Sequence, residues 1–180
     1  MADSIYALGT PVGRSAVAVI RVSGSDFSKG FVKFLNIPID KKGSWLRSLD
    51  LGGFSDQCLV LNFPGSNSYT GEHVVEIHCH GNPLIVSQLL LVLNELGLRE
   101  AEKGEFTRRA FINNKMSLSD AESVMTGIQA GSVQELAALE DFRSGFLGKK
   151  LSDLTEKITE VLATIESQLD FSDEEDVSDL

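Results

Sequence analysis

Basic charge is in short supply in this 180-residue chain: 16 Lys and Arg stand against 26 Asp and Glu, for a formal net charge of −10. Binding along a phosphate backbone wants a Lys/Arg face, so this balance argues against broad nucleic-acid binding by the segment itself. It leaves room for a partner that binds RNA nearby. Cysteine is scarcer still. Cys58 and Cys79 are the only two, too few for a disulfide framework and not in C-x-x-C spacing, which makes a reducing compartment the default. Long apolar runs are missing. The longest apolar stretch, residues 84–96, carries Ser87, Gln88, Asn94 and Glu95 and is too short to span a bilayer. The opening MADSIYALG has no basic n-region and no apolar h-region, so no signal peptide is expected. Two nucleotide-binding signatures are absent as well. No G-x-G-x-x-G follows a strand pattern. The nearest approach to a phosphate-binding P-loop, around Gly148-Lys149, has Arg143 where the first Gly belongs and Lys150 where Ser/Thr belongs, and it falls inside a helical pattern. The expectation is a soluble, cytoplasmic chain of one or two domains, whose 42% hydrophobic residues suffice for a core.

What is present centres on residues 68–82, SYTGEHVVEIHCHGN. The stretch begins as a loop and continues as a strand, whose alternation puts Val74, Glu76, His78 and His80 on one face and His73, Val75, Ile77 and Cys79 on the other. Glu76 sits among β-branched residues that favour a buried, pleated surface, and a buried carboxylate needs a partner or a ligand. Residues 16–23 (AVAVIRVS) form a near-continuous apolar run, the mark of a central strand. Arg21 lies inside it. Two readings stay open for that charge: an ion pair with Glu76 or another acid, and contact with a ligand. Glu76, His78 and His80 also form a weak metal-ligand pattern for zinc or non-haem iron, weak because alternate strand side chains stand about 6–7 Å apart. Lys115, behind Asn113-Asn114, reads by itself as a solvated cation at a helix end.

The remaining elements follow from periodicity and punctuation. Residues 4–10 read as a short strand, and TPVGRS at 10–15 as a turn. Residues 26–36 read as an amphipathic helix with Ser25 as candidate N-cap, 36–45 as loop, 46–53 as a weak strand and 56–63 as a better one. Asn82 is the expected N-cap, Pro83 the first helical residue and Gly97 the stop of a helix that is apolar on most sides. Residues 98–101 suit an edge strand. Beyond Gly104 the pattern turns helical: a basic-cluster helix with Arg108, Arg109 and Lys115, a helix opened by a box at residues 119–122, and a second box at 132–135 opening a long helix to about residue 170. Leu147, Leu151, Leu154, Ile158, Val161 and Ile165 repeat at alternating four and three, a bundle seam that calls for a partner outside this chain. The end, FSDEEDVSDL, is an acidic tail. The expected architecture is an α+β amino-terminal domain (a mixed sheet with packed helices) over residues 1–116, followed by an all-α segment over 117–180. The chain reads as a fragment of something longer.

Four of these stretches, TPVGRSAVAVIRVSG, NFPGSNSYTGEHVVEIHCHGNP, GEFTRRAFINNKMSLSDAESV and LDFSDEED, together resemble one family closely in order and spacing: the tRNA modification GTPases called MnmE or TrmE. The resemblance implies a folate-binding, dimerising amino-terminal domain and the first part of a split helical domain, with the inserted G domain lying beyond this chain. It implies binding of 5-formyltetrahydrofolate through Arg21, Glu76 and Lys115, and no catalytic residue within the fragment. In the full-length protein it implies GTP, Mg2+ and K+. The implied partners are a second copy, the flavoprotein MnmG (also GidA) and tRNA, whose wobble uridine (U34) receives a carboxymethylaminomethyl-type group. Two positions depart from the family pattern: His73 stands where Asp is usual and Asn82 where Gly is usual. Against this reading stand a metal-dependent enzyme using Glu76, His78 and His80, and a dimerisation scaffold with no ligand.

Overall fold

The structure, a computed structural model, describes residues 3–143 and 146–170; of residues 146–149 and 168–170 only the backbone is described. The acidic tail at 171–180, most of the LDFSDEED stretch and the side chain of the first seam residue, Leu147, therefore lie outside what is described. The chain divides into two compact units, one ending at Ala121 and the other beginning at Glu122.

The first unit is built on a six-stranded mixed sheet in the order β3-β4-β5-β2-β1-β6. Its strands are β1 (Ile5–Leu8), β2 (Val17–Gly24), β3 (Gly43–Asp50), β4 (Ser55–Phe63), β5 (His73–His80) and β6 (Arg99–Glu100). All neighbours run antiparallel except β1 and β6. The centre is the β2–β5 pair, in a register that sets Val17 opposite His80, Val19 opposite His78 and Arg21 opposite Glu76. Ala18, Ile20 and Val22 alternate with these residues and, with Val75, Ile77, Cys79, Cys58 and Val60, form the core. Helices α1 (Lys29–Leu35) and α2 (Pro83–Glu95) cover that face through Phe31, Leu35, Val86, Leu89 and Leu93. The opposite face of β2 and β5 carries the polar set. A one-residue slip would exchange the two faces, so burial of the apolar set fixes where Arg21 and Glu76 point.

Several expectations hold in detail. Asn82 caps α2 by accepting from the Leu84 N–H at 3.0 Å, and Gly97 ends that helix region at φ +89°. Helix α3 (Glu105–Ile112) stops at the paired asparagines, where Asn114 takes a left-handed φ of 54°. Four details differ. Helix α1 is capped by Ser28 rather than Ser25, because the Ser28 hydroxyl accepts from Phe31 N–H and donates to the Leu96 carbonyl, tying the cap to the end of α2. Strand β3 begins at Gly43, inside the stretch read as loop. Its alternation is there, with Leu49 buried and Ser44, Leu46 and Ser48 exposed, but its polar content masks it. Helix α4 (Leu118–Gln129) opens on a box at Ser117 and Asp120, whose side chains and backbone N–H groups pair reciprocally at 3.1 and 3.2 Å, two residues before the predicted one. The single long helix appears as α5 (Val133–Arg143) and α6 (Phe146–Asp170). The box at 132–135 stands: Ser132 accepts from the Glu135 N–H.

Candidate functional site

Arg21 and Glu76 meet on the open side of the central strand pair. The Arg21 guanidinium donates to Glu76 Oε1 through Nε at 2.8 Å and Nη2 at 2.6 Å. Both partners keep some exposure, 38% for the Arg21 side chain and 17% for Glu76. The pair thus satisfies a half-buried carboxylate without closing it off. A carboxylate offers about four lone-pair directions. Among the described residues, Glu76 Oε2 meets a single partner, His78 Nε2 at 3.4 Å, so acceptor capacity remains on that side. The guanidinium also lies over the Tyr69 ring, 5.5 Å from its centroid, an attraction of a cation for a π face.

Tyr69 belongs to the loop at 64–72, which is pinned from several directions. Its hydroxyl pairs with Thr107 of α3 at 3.0 Å, and the Ser68 hydroxyl donates to the Glu72 carbonyl. Thr70 and Glu72 both meet the buried Ser23 hydroxyl of β2, at 2.7 and 2.8 Å. From α3, Asn113 donates to the Thr70 carbonyl at 2.7 Å, and Arg109 donates to Glu72 at 3.0 Å, Glu105 at 2.9 Å and Asp3 at 2.9 Å. Arg99 completes the network on Asp3 and Glu105. Hydrogen bonds from Arg99 hold the buried Glu105 carboxyl down at about 2, against the cost of burial. Burial works against the Arg109 charge, but its hydrogen bonds to Glu105 and Glu72 outweigh that and hold its pKa above the usual value. Lys115 follows the end of α3 and packs its stem at Gly71. A Cβ added there, at φ +75°, would lie 2.9 Å from both Asn113 Cβ and Lys115 Cγ. The Lys115 side chain is exposed.

The three residues singled out by sequence are thus placed unevenly. Arg21 and Glu76 are joined directly. Lys115 makes no hydrogen bond or ion pair with either; the loop connects them, Arg21 lying on Tyr69 and Lys115 against Gly71. The histidines separate. His78 stays beside Glu76, while His80 Nδ1 turns to Asp56 at 2.6 Å. Among the described residues no group of three or more His, Cys, Asp or Glu is placed to hold a metal ion. Asp56 is buried, and burial raises its carboxyl pKa. Hydrogen bonds from the His80 backbone and ring outweigh that and leave it below the usual value. Burial pushes the Cys79 thiol up to about 11 and Cys58 higher, so both stay protonated. The unusual His73 donates to Asn62 Oδ1 at 2.6 Å and touches the Phe27 ring. Sequence reasoning passed over Tyr69, Glu72, Glu105 and Asp56. The only advance signal was the i,i+4 pairing of Glu105 with Arg109 on one helix.

Fold and site together define an α+β domain whose mixed sheet is cored on one face by two helices and carries an ion-paired polar cluster on the other. The family described as GTP-binding protein TrmE N-terminus matches residues 4–115. The chain is 44% identical over its whole length to the tRNA modification GTPase MnmE of Phenylobacterium zucineum, covering 41% of that protein. It is 42% identical over 99% of its length to that of Maricaulis maris, covering 42%. With the MnmE of Opitutus terrae it shares 40% identity over 96% of its length, covering 39%. The chain belongs to the MnmE/TrmE family, and residues 4–115 form its amino-terminal domain. It spans about two fifths of the length of the curated relatives it matches.

Proposed function

We propose that this chain is the reduced-folate-binding, dimerising part of a tRNA modification GTPase. With the flavoprotein MnmG, the whole enzyme adds a carboxymethylaminomethyl-type group to U34 of tRNA in the cytoplasm. GTP, Mg2+ and K+ belong to the G domain beyond this chain, and residues from about 117 open an all-α domain. Among the described residues no helix is long and apolar enough to cross a membrane. The observation that carries the reading is the half-open Arg21–Glu76 pair on the sheet face opposite α1 and α2, in a chain of this family.

The residues present fit 5-formyltetrahydrofolate. Glu76 keeps acceptor capacity for the donors along an amino-pyrimidinone edge. Arg21 and Lys115 bring cations that suit a formyl oxygen or a carboxylate. A bound reduced folate supplies a transferable one-carbon unit; the chain's residues bind and orient it. Calorimetric titration of the chain with 5-formyltetrahydrofolate tests this. Binding is expected, with a loss of roughly tenfold or more in Glu76→Gln, the scale of a charge-assisted hydrogen bond. Unchanged affinity in that variant sinks the assignment. A dimer by light scattering without folate binding would leave the ligand-free scaffold in its place.

A further inference from the structure

The open face of the β2–β5 pair is a graded strip. At one end stand Arg21 and Glu76; next come Val19 and His78; at the far end are Val17 and His80. Four residue steps along the strand separate Glu76 from His80, about 13 Å at the usual rise. Val17, at the far end, is 49% exposed, and Val19 and His78 in the middle are partly exposed. The far end opens into a cavity of about 440 Å³ lined by Arg14, Ser15, Ala16, His80, Gly81 and Asn82. Arg14 and His80 are the basic residues of its lining. Arg14 is exposed and makes no hydrogen bond or ion pair among the described residues. His80 is anchored from behind: its backbone N–H donates to Asp56 Oδ2 at 2.9 Å and its Nδ1 to Oδ1 at 2.6 Å. An ionised carboxylate on Nδ1 fixes a proton there, so Nε2 accepts in the neutral ring and donates to an anion in the imidazolium form. The turn that builds this end is tight. A Cβ on Gly81 would meet Ser15 Oγ at 2.1 Å and the Ser15 carbonyl at 2.4 Å.

An ion-paired acid at one end, Val19 and Val17 of β2 along the strip, and the Arg14 side chain with an Asp56-anchored His80 at the other end suit an elongated ligand with a donor-rich head, an aromatic middle and an anionic tail. We infer that Arg14 and His80 form a tail subsite that takes the carboxylates of the glutamyl tail of a reduced folate whose pterin lies at Glu76. The inference rests on the folate reading above and adds to it the far end of the ligand. Arg14 is the main contact, since a guanidinium grips a carboxylate through two parallel N–H bonds. Additional γ-linked glutamates bring further carboxylates to the same cavity.

Calorimetry with three ligands tests this: 5-formyltetrahydrofolate, its triglutamate, and a tail-less 5-formyltetrahydropterin. The triglutamate is expected to bind tightest and the tail-less compound weakest. Arg14→Ala should weaken both tailed ligands roughly tenfold and leave the tail-less one unchanged, closing the gap between them. His80→Ala should do the same to a smaller extent. Arg14 is exposed on a turn, so its replacement leaves the core untouched. If all three ligands bind with equal affinity, or if Arg14→Ala leaves the gap intact while Glu76→Gln still weakens binding roughly tenfold or more, the tail assignment is wrong and the folate reading survives. If the parent chain binds none of the three, both fall.

Discussion

Glu105 shows what a single buried charge does in this fold. Its side chain is 1% exposed, yet it accepts from Arg99, Arg109 and the Glu102 N–H. Removing one member of such a network leaves the others desolvated and unpaired, which costs far more than the net gain of forming it. Glu105→Ala is expected to destabilise the first unit by about 3 kcal/mol, measured by urea denaturation. The same group gives a pH dependence. Its folded pKa, about 2, lies below the ordinary 4.5. The stabilisation is therefore complete above about pH 4.5 and is lost as pH falls toward 2. Asp3 and Asp56 are lowered as well and act in the same direction. The midpoint of urea unfolding should drop through that window, and the drop should be shallower in Glu105→Gln. Gly71 makes the complementary point for a residue without a side chain. Its positive φ and the 2.9 Å approach of the Asn113 and Lys115 stems leave no room for a methyl group. Gly71→Ala should weaken folate binding by displacing Lys115, although no charge is removed. A full-affinity Gly71→Ala protein would separate Lys115 from the site.

At the scale of elements, local chemistry decides what can be read from sequence. Helix α2 was legible to within one residue, expected over 83–96 and found at Pro83–Glu95, because its ends carry their own signals: an Asn cap, a Pro at the first position, a Gly at the stop. Asn82→Ala should cost about 1 kcal/mol in a denaturant titration, since only the Leu84 N–H loses its partner. Strands β2 and β5 were equally legible, because burial on one side forces a period of two. Arg21 and Glu76 could be placed on those strands, and their pairing was one of two open readings. What escaped was set by tertiary partners. The edge strand β3 is half polar, and it is defined by its eight-residue pairing with β4 rather than by its own pattern. The α1 cap moved to Ser28 because Leu96, 68 residues away, offers its carbonyl. The Asp56–His80 pair joins side chains 24 residues apart, and no spacing rule predicts it. His80 therefore looked like a third member of the Glu76–His78 row, and the structure gives it a different neighbour.

At the scale of the whole molecule, the chain spans about two fifths of its relatives' length and carries no P-loop motif. It is expected to release no phosphate from GTP above background; turnover in a homogeneous preparation would overturn that. Helix α6 raises a further question. Leu151, Leu154, Ile158 and Val161 are each between 52% and 58% exposed, and Ile165 is 47% exposed. Side chains of this size contribute about 1.5–3 kcal/mol each when fully buried, and a stripe at heptad spacing is the usual seam between helices. Left uncovered, such a stripe promotes association. The chain in isolation should therefore self-associate in a concentration-dependent way through α6. Sedimentation equilibrium of the parent and of a Leu154→Glu, Ile158→Lys double variant tests this. The variant places two charges on the stripe and alters no residue of the sheet, so folate affinity should persist while the association weakens. Association of equal strength in both proteins would locate it elsewhere, and the α6 stripe would then have no part in it.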